Sequence, residues 1–115
     1  MRSMRLYKIN EIKVEKDLLS AISLSNYVVI RGGVHVYKPK EESHKGEYHV
    51  HDHPEVFIGI KGEAVMIVNG RKYRFSGGDI IVIETGEEHH VVADESNPIT
   101  LVWLDVRKNG EGNSN

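Results

Sequence analysis

From residue 27 to residue 106 the chain is written in short apolar runs, each closed by a turn signal before a helix could complete three turns. The runs fall at 27–30, 34–37, 48–52, 56–60, 64–68, 72–75, 80–83, 89–93 and 99–106, at spacings near ten residues. They are rich in Val, Ile, Tyr and Phe, the residues that fit a pleated, half-buried surface. Between them stand Arg31-Gly32-Gly33, Asn69-Gly70, Ser76-Gly77-Gly78-Asp79, Thr85-Gly86-Glu87 and Asn97-Pro98. Asn-Gly is the strongest of these, because both positions of a two-residue hairpin turn require positive φ. Eight or nine strands in this rhythm predict an all-β antiparallel barrel or jelly-roll sandwich.

At 115 residues the chain makes one domain. Residues 27–107 are read as the barrel. Residues 1–26 are an N-terminal segment holding a strand and a short helix near 16–24, expected to pack on a partner subunit. Residues 108–115 are a polar tail expected to be disordered. In Val56-Phe57-Ile58-Gly59-Ile60 both parities are apolar, so this strand is expected to be covered on both faces, by a second sheet or, on the sharper reading, by another copy of the chain. A homodimer is therefore predicted. Gly59 shares the parity of position 55 and leaves room there for a ligand or another backbone.

Composition removes several classes of function. Fifteen basic against 17 acidic residues leave a net charge of −2, so no basic surface points to nucleic acid or membrane. No apolar stretch approaches a membrane span and no leader-like segment opens the chain, so a cytoplasmic location is expected. Cysteine is absent, which removes disulfides, thiolate ligands and thiol nucleophiles. Glutamine is absent too, and abundant Lys and Glu hint weakly at a thermophilic source.

Histidine is concentrated instead. Five of seven lie in His49-Val50-His51-Asp52-His53-Pro54-Glu55 or at His89-His90. On a strand His49 and His51 point the same way, about 6–7 Å apart, a separation that suits two imidazoles closing on one ion. Pro54 breaks the strand, and Glu55, opening the next one, can point back at the same ion. A fourth ligand must come from elsewhere, and His89 opens a strand after its own glycine-containing turn.

These residues resemble the cupin family. His49-x-His51-x3-Glu55-x6-Gly62 matches the first cupin signature, G-x5-H-x-H-x3,4-E-x6-G, from its first histidine onward. Of the second, G-x5-P-x-G-x2-H-x3-N, the chain keeps Gly78, Gly86 and His89 at the family's spacing. The resemblance covers residues 28 to 106 and implies a barrel holding a divalent transition metal through His49, His51, Glu55 and His89. Ser43 stands where the leading glycine is expected, Glu84 replaces the proline, and Ala93 replaces the closing asparagine. Iron, manganese, zinc, nickel, cobalt and copper all suit imidazoles with one carboxylate.

Other side chains expected to reach the pocket are Tyr48, His53, Phe57, Gly59, His35, Tyr37 and Val91. His53 reads as a solvated group or substrate contact at the barrel mouth, His90 as a surface residue, and Glu87 and Glu88 as solvated loop charges. With Tyr73 and Phe75 facing inward, Lys72 and Arg74 face out, leaving few cations inside to meet a phosphate. The resemblance implies a cupin that acts on or binds a small molecule, as a metal-dependent dioxygenase, decarboxylase or isomerase. The alternative is a non-catalytic module that senses or binds a metal or small molecule. A three-histidine zinc site of the carbonic-anhydrase kind would leave Glu55 without a part.

Overall fold

The computed structural model describes residues 3–12, 16–43 and 52–110. Eight strands fall in two antiparallel sheets. They are β1 (Arg5–Lys8), β2 (Tyr27–Val36), β3 (Glu55–Lys61), β4 (Glu63–Val68), β5 (Arg71–Ser76), β6 (Asp79–Ile83), β7 (His89–Ala93) and β8 (Thr100–Lys108). One sheet has the order β1-β6-β3-β8-β2, the other β5-β4-β7. Their facing sides close on a core of Phe57, Met66, Phe75, Ile81, Val91 and Leu101, with Tyr37, Ile83 and Ile99 around it. This is the sandwich that the spacing of the apolar runs predicts.

The Asn69-Gly70 turn joins β4 to β5 with φ of +50° and +81°, as a primed hairpin turn demands. In β5, Phe75 is fully buried and Tyr73 packs on the core while Lys72 and Arg74 are exposed, so the expected parity holds.

One expected turn is absent. Arg31-Gly32-Gly33 does not separate two strands; it lies inside β2, which pairs with β8 over its whole length, with a register shift between Val29 and Arg31. The glycines serve close approach. A Cβ at Gly32 would sit 2.7 Å from Leu104 Cδ2, and one at Gly33 would sit 2.9 Å from Trp103 Cζ2. Two large side chains on β8 occupy the space that side chains at 32 and 33 would need.

The N-terminal segment packs on its own barrel. β1 pairs with β6, and a single helical turn, α1 (Leu18–Ala21), is capped by Asp17, whose carboxylate accepts from the Ser20 amide. Ile22 and Leu24 just beyond it are fully buried against Val56, Val82 and Val106 on the outer face of the five-stranded sheet. Half of the cover expected over β3 therefore comes from within the chain. The rest of that sheet face is open: Ile60 on β3 keeps 54% of its surface, and Val34 and Val36 on β2 keep 65 and 70%.

The cupin-motif departure at Glu84 belongs to the same docking. The buried Glu84 carboxylate accepts from Arg5 Nη1, while Arg5 Nη2 donates to the Ile22 carbonyl at 3.0 Å. Glu87, expected as a solvated charge, is buried: its carboxylate accepts from the amides of Glu84 (2.9 Å) and Met4 (3.0 Å). The two glutamates hold the β6–β7 turn and pin β1 beside it.

Candidate functional site

Between the sheets lies a cavity of about 370 Å³. Register explains what lines it. Cross-strand partners share a face, so the pairs Arg31–Asp105 and Asp105–Glu55 form a charged row across β2, β8 and β3. The next row inward is Gly33, Trp103 and Phe57. All but the glycine border the cavity, with His35, Tyr37 and His89.

Glu55 and His89 meet there. Both are buried, and His89 Nε2 lies 3.0 Å from Glu55 Oε1. On the other side of the ring, His89 Nδ1 donates to the Glu87 carbonyl at 3.1 Å, which can only accept. With Nδ1 committed as donor, Nε2 can face a carboxylate favourably only across a proton or another cation. Burial alone would lower the His89 pKa, but the bonds to Glu55 and to the Glu87 carbonyl outweigh it and the net shift is upward. A donor separation of 3.0 Å is also about that of two cis ligands with bonds near 2.1 Å. The pair thus fits a divalent ion, and the Glu87 carbonyl is the outer partner that fixes the imidazole.

Among the described residues no third His, Asp or Glu completes a metal cage with this pair. Tyr48, His49 and His51 lie outside the described residues. Of the other pocket expectations, three line the cavity. His35 stacks on Tyr37 with ring centroids 3.8 Å apart and bonds Glu41 at 3.0 Å. Phe57 meets His89 edge to face at 5.7 Å. Burial pushes the Tyr37 phenol up to about 12 against a hydrogen bond from Ser43, and the charges of Glu41 and Glu55 add to the rise. It is a neutral donor at physiological pH.

Two expectations need correcting, and the two readings of Gly59 resolve to one. Gly59 gives its space to another backbone, not to a ligand: the β5–β6 turn crosses over it, and Gly78 N donates to Gly59 O at 2.9 Å. Val91 is a core residue of β7 and does not border the cavity. His53 is buried, not solvated, with Nδ1 2.8 Å from Asp52 Oδ1 and Nε2 3.4 Å from Asp105 Oδ1. Its bond is the leading cause that lowers the Asp52 pKa, with the charge of Arg107 second.

Sequence reasoning missed Arg31, Asp105 and Trp103. Asp105 breaks an otherwise apolar strand, Leu101-Val102-Trp103-Leu104-Asp105-Val106, and a carboxylate at a core parity was the available signal. Arg31 was hidden by the turn that the two glycines after it suggest.

A closed double sheet with a His–Glu pair facing inward defines a cupin. The chain belongs to the cupin domain family, which it matches over residues 33–105. No curated protein matches it in sequence. Among solved structures, a cupin protein from Bacteroides fragilis is similar with a TM-score of 0.63 at 18% identity, over 82% of this chain and 75% of that one. The plu4264 protein from Photorhabdus luminescens is 25% identical with a TM-score of 0.57, over 64% of this chain and 59% of that one. The chain thus spans less than two thirds of that relative. A salicylate 1,2-dioxygenase from Pseudoaminobacter salicylatoxidans, solved in complex with gentisate, has a TM-score of 0.59 at 15% identity, over 72% of this chain and 25% of that enzyme.

Proposed function

We propose that the protein is a metal-binding cupin whose cavity takes a small organic molecule, with Glu55, His89, His49 and His51 as the ligands of a divalent transition metal. The observation that carries this reading is the Glu55–His89 pair. It is a buried carboxylate and a buried imidazole 3.0 Å apart, with the far ring nitrogen already committed to a carbonyl. A bound divalent ion would supply Lewis-acid polarisation or oxygen activation to a molecule in the cavity. The chain's own residues would orient that molecule: Phe57 and Trp103 as apolar walls, Tyr37 as a neutral donor, Arg31 as a cation. Similarity to a dioxygenase that holds gentisate favours small-molecule turnover of this kind. Pairing of His35 with Glu41 and of Asp105 with Arg31 favours the second reading, a binding module without turnover.

Elemental analysis of protein purified without chelators tests the metal. About one transition-metal ion per chain is expected, lost in His89→Ala and Glu55→Gln and kept in His90→Ala. Equal metal content in all four proteins refutes the site. Turnover of small phenols, diketones or thiols by the loaded protein separates the enzyme from the binding module.

A second copy of the chain is the proposed partner. Among the described residues β2 is a ten-residue edge strand with one side unpaired, and Val34, Val36 and Ile60 are exposed apolar side chains there. Long apolar edges are rarely left bare in monomers. These side chains lie on the sheet face that α1 only half covers, where a homodimer could bury about 800 Å² from each chain.

A further inference from the structure

The row Arg31–Asp105–Glu55 places a cation at the mouth of a cavity where sequence reasoning expects few. Asp105 is 2% exposed, and its Oδ2 accepts from Arg31 Nε at 2.5 Å. Among the described residues this is the guanidinium's one hydrogen bond, so both Nη groups remain as donors. The Arg31 side chain keeps 65% of its surface and borders the cavity. A guanidinium fixed through Nε still presents its two Nη groups as a planar fork, the geometry that matches a carboxylate. Its orientation is set in advance by a buried partner, so little conformational freedom is lost on binding.

We infer that Arg31 is the specificity-determining residue of the cavity and selects a small monocarboxylate with a planar apolar body, Asp105 acting as its positioning residue. Tyr37, Phe57 and Trp103 supply three ring faces and edges for that body. Selection of a monocarboxylate rests on the metal reading above: a divalent ion would balance the buried Glu55 and Asp105 carboxylates, leaving the Arg31 fork as the group that meets an anion. Glu41, less exposed than Arg31, is paired with His35, and Glu42 is exposed, where solvent weakens its repulsion. A phosphate dianion would call for a second cationic side chain, and the described lining contains no other Lys or Arg.

The test is fluorine NMR or calorimetric titration of the protein with 4-fluorobenzoate and its uncharged isostere 4-fluorobenzamide, with and without Mn(II), metal content being measured separately. In the loaded protein the acid is expected to bind about tenfold more tightly than the amide or better, the worth of one charge-assisted bond. Arg31→Gln should abolish that preference, the acid losing more affinity than the amide. Arg31→Lys should keep part of it, and Arg74→Gln, on the outer surface, all of it. Asp105→Asn should reduce the acid-to-amide ratio, a split that mere loss of folding would not produce. Equal binding of acid and amide by the unaltered protein, loaded or metal-free, overturns the inference, as does a preference that survives in Arg31→Gln. If no metal binds but the acid is still preferred through Arg31, the anchor stands and the metal reading fails.

Discussion

Replacing Gly59 with alanine separates a glycine that serves the backbone from one that serves a ligand. The end of β3 and the β5–β6 turn cross at this point, tied by Gly78 N to Gly59 O at 2.9 Å and Gly77 N to Gly62 O at 3.0 Å. A Cβ on Gly59 would overlap the Ser76 carbonyl oxygen and lie 2.9 Å from its carbon and 3.4 Å from Gly77 Cα. None of these atoms ends a flexible side chain, so the strands themselves must part. Overpacking costs about 1–3 kcal/mol where side chains can yield, and a clash against two hydrogen-bonded backbones belongs at or above the top of that range. We expect a loss of about 3 kcal/mol. With a urea m-value of about 1.5 kcal/mol/M, that lowers the midpoint by about 2 M. Gly70→Ala is the internal control: φ is +81° but nothing lies within 4 Å of the added carbon, so only the left-handed strain of about 1–2 kcal/mol applies. Ligand affinity of the folded fraction should be unchanged in Gly59→Ala. A Gly59→Ala protein no less stable than Gly70→Ala would refute the steric argument. Weakened binding at full stability would restore the ligand role that its parity suggests.

Three further outcomes follow from buried polar groups and from the open sheet face. Tyr37 keeps its proton in the folded chain up to about pH 12, whereas an unfolded tyrosine loses it near 10. Its contribution is therefore complete below pH 10 and is lost as pH rises to 12, about 3 kcal/mol in all. Denaturant melts across that window should show the loss, and Tyr37→Phe should remove it. Arg5→Ala strips the buried Glu84 of its cation and the Ile22 carbonyl of a donor, at a cost of about 1–3 kcal/mol by denaturation. Arg5→Lys should recover only part, since Nε, Nη1 and Nη2 hold three different partners, and full recovery would refute the fork. Val34→Lys combined with Val36→Lys should convert a dimer to a folded monomer in light scattering, and an unaltered protein that is already monomeric at high concentration rejects the interface.

The fold was legible because its signals are local. Period-two apolar runs and the Asn69-Gly70 turn act over a few residues, and the runs at 56–60, 64–68, 72–75, 80–83, 89–93 and 99–106 each mark a strand of the observed sheets. Where long-range packing decides, local signals misled. Gly32 and Gly33 look like a turn from within the chain, yet the side chains that require them, Leu104 and Trp103, stand about seventy residues away on β8. Glu87 looks like a loop charge until the amides of Met4 and Glu84 are seen to converge on it. Met4 lies far along the chain from Glu87, beyond any short window of sequence.

The candidate site divides along the same line. Glu55 and His89 were named from motif spacing, and the sheets bring them within 3.0 Å. Arg31 and Asp105 belong to no motif and became neighbours only through the register of β2 on β8, which the misread turn concealed. Their pairing changes what the cavity can accept. Without Arg31 the interior would present two adjacent carboxylates and would suit a cation or a neutral molecule. With Arg31 locked by Asp105, one of those charges is already answered, and a fork of donors remains beside the pair that could hold an ion. The part of the pocket that governs which molecule enters therefore lies on the strand whose sequence pattern said least about it.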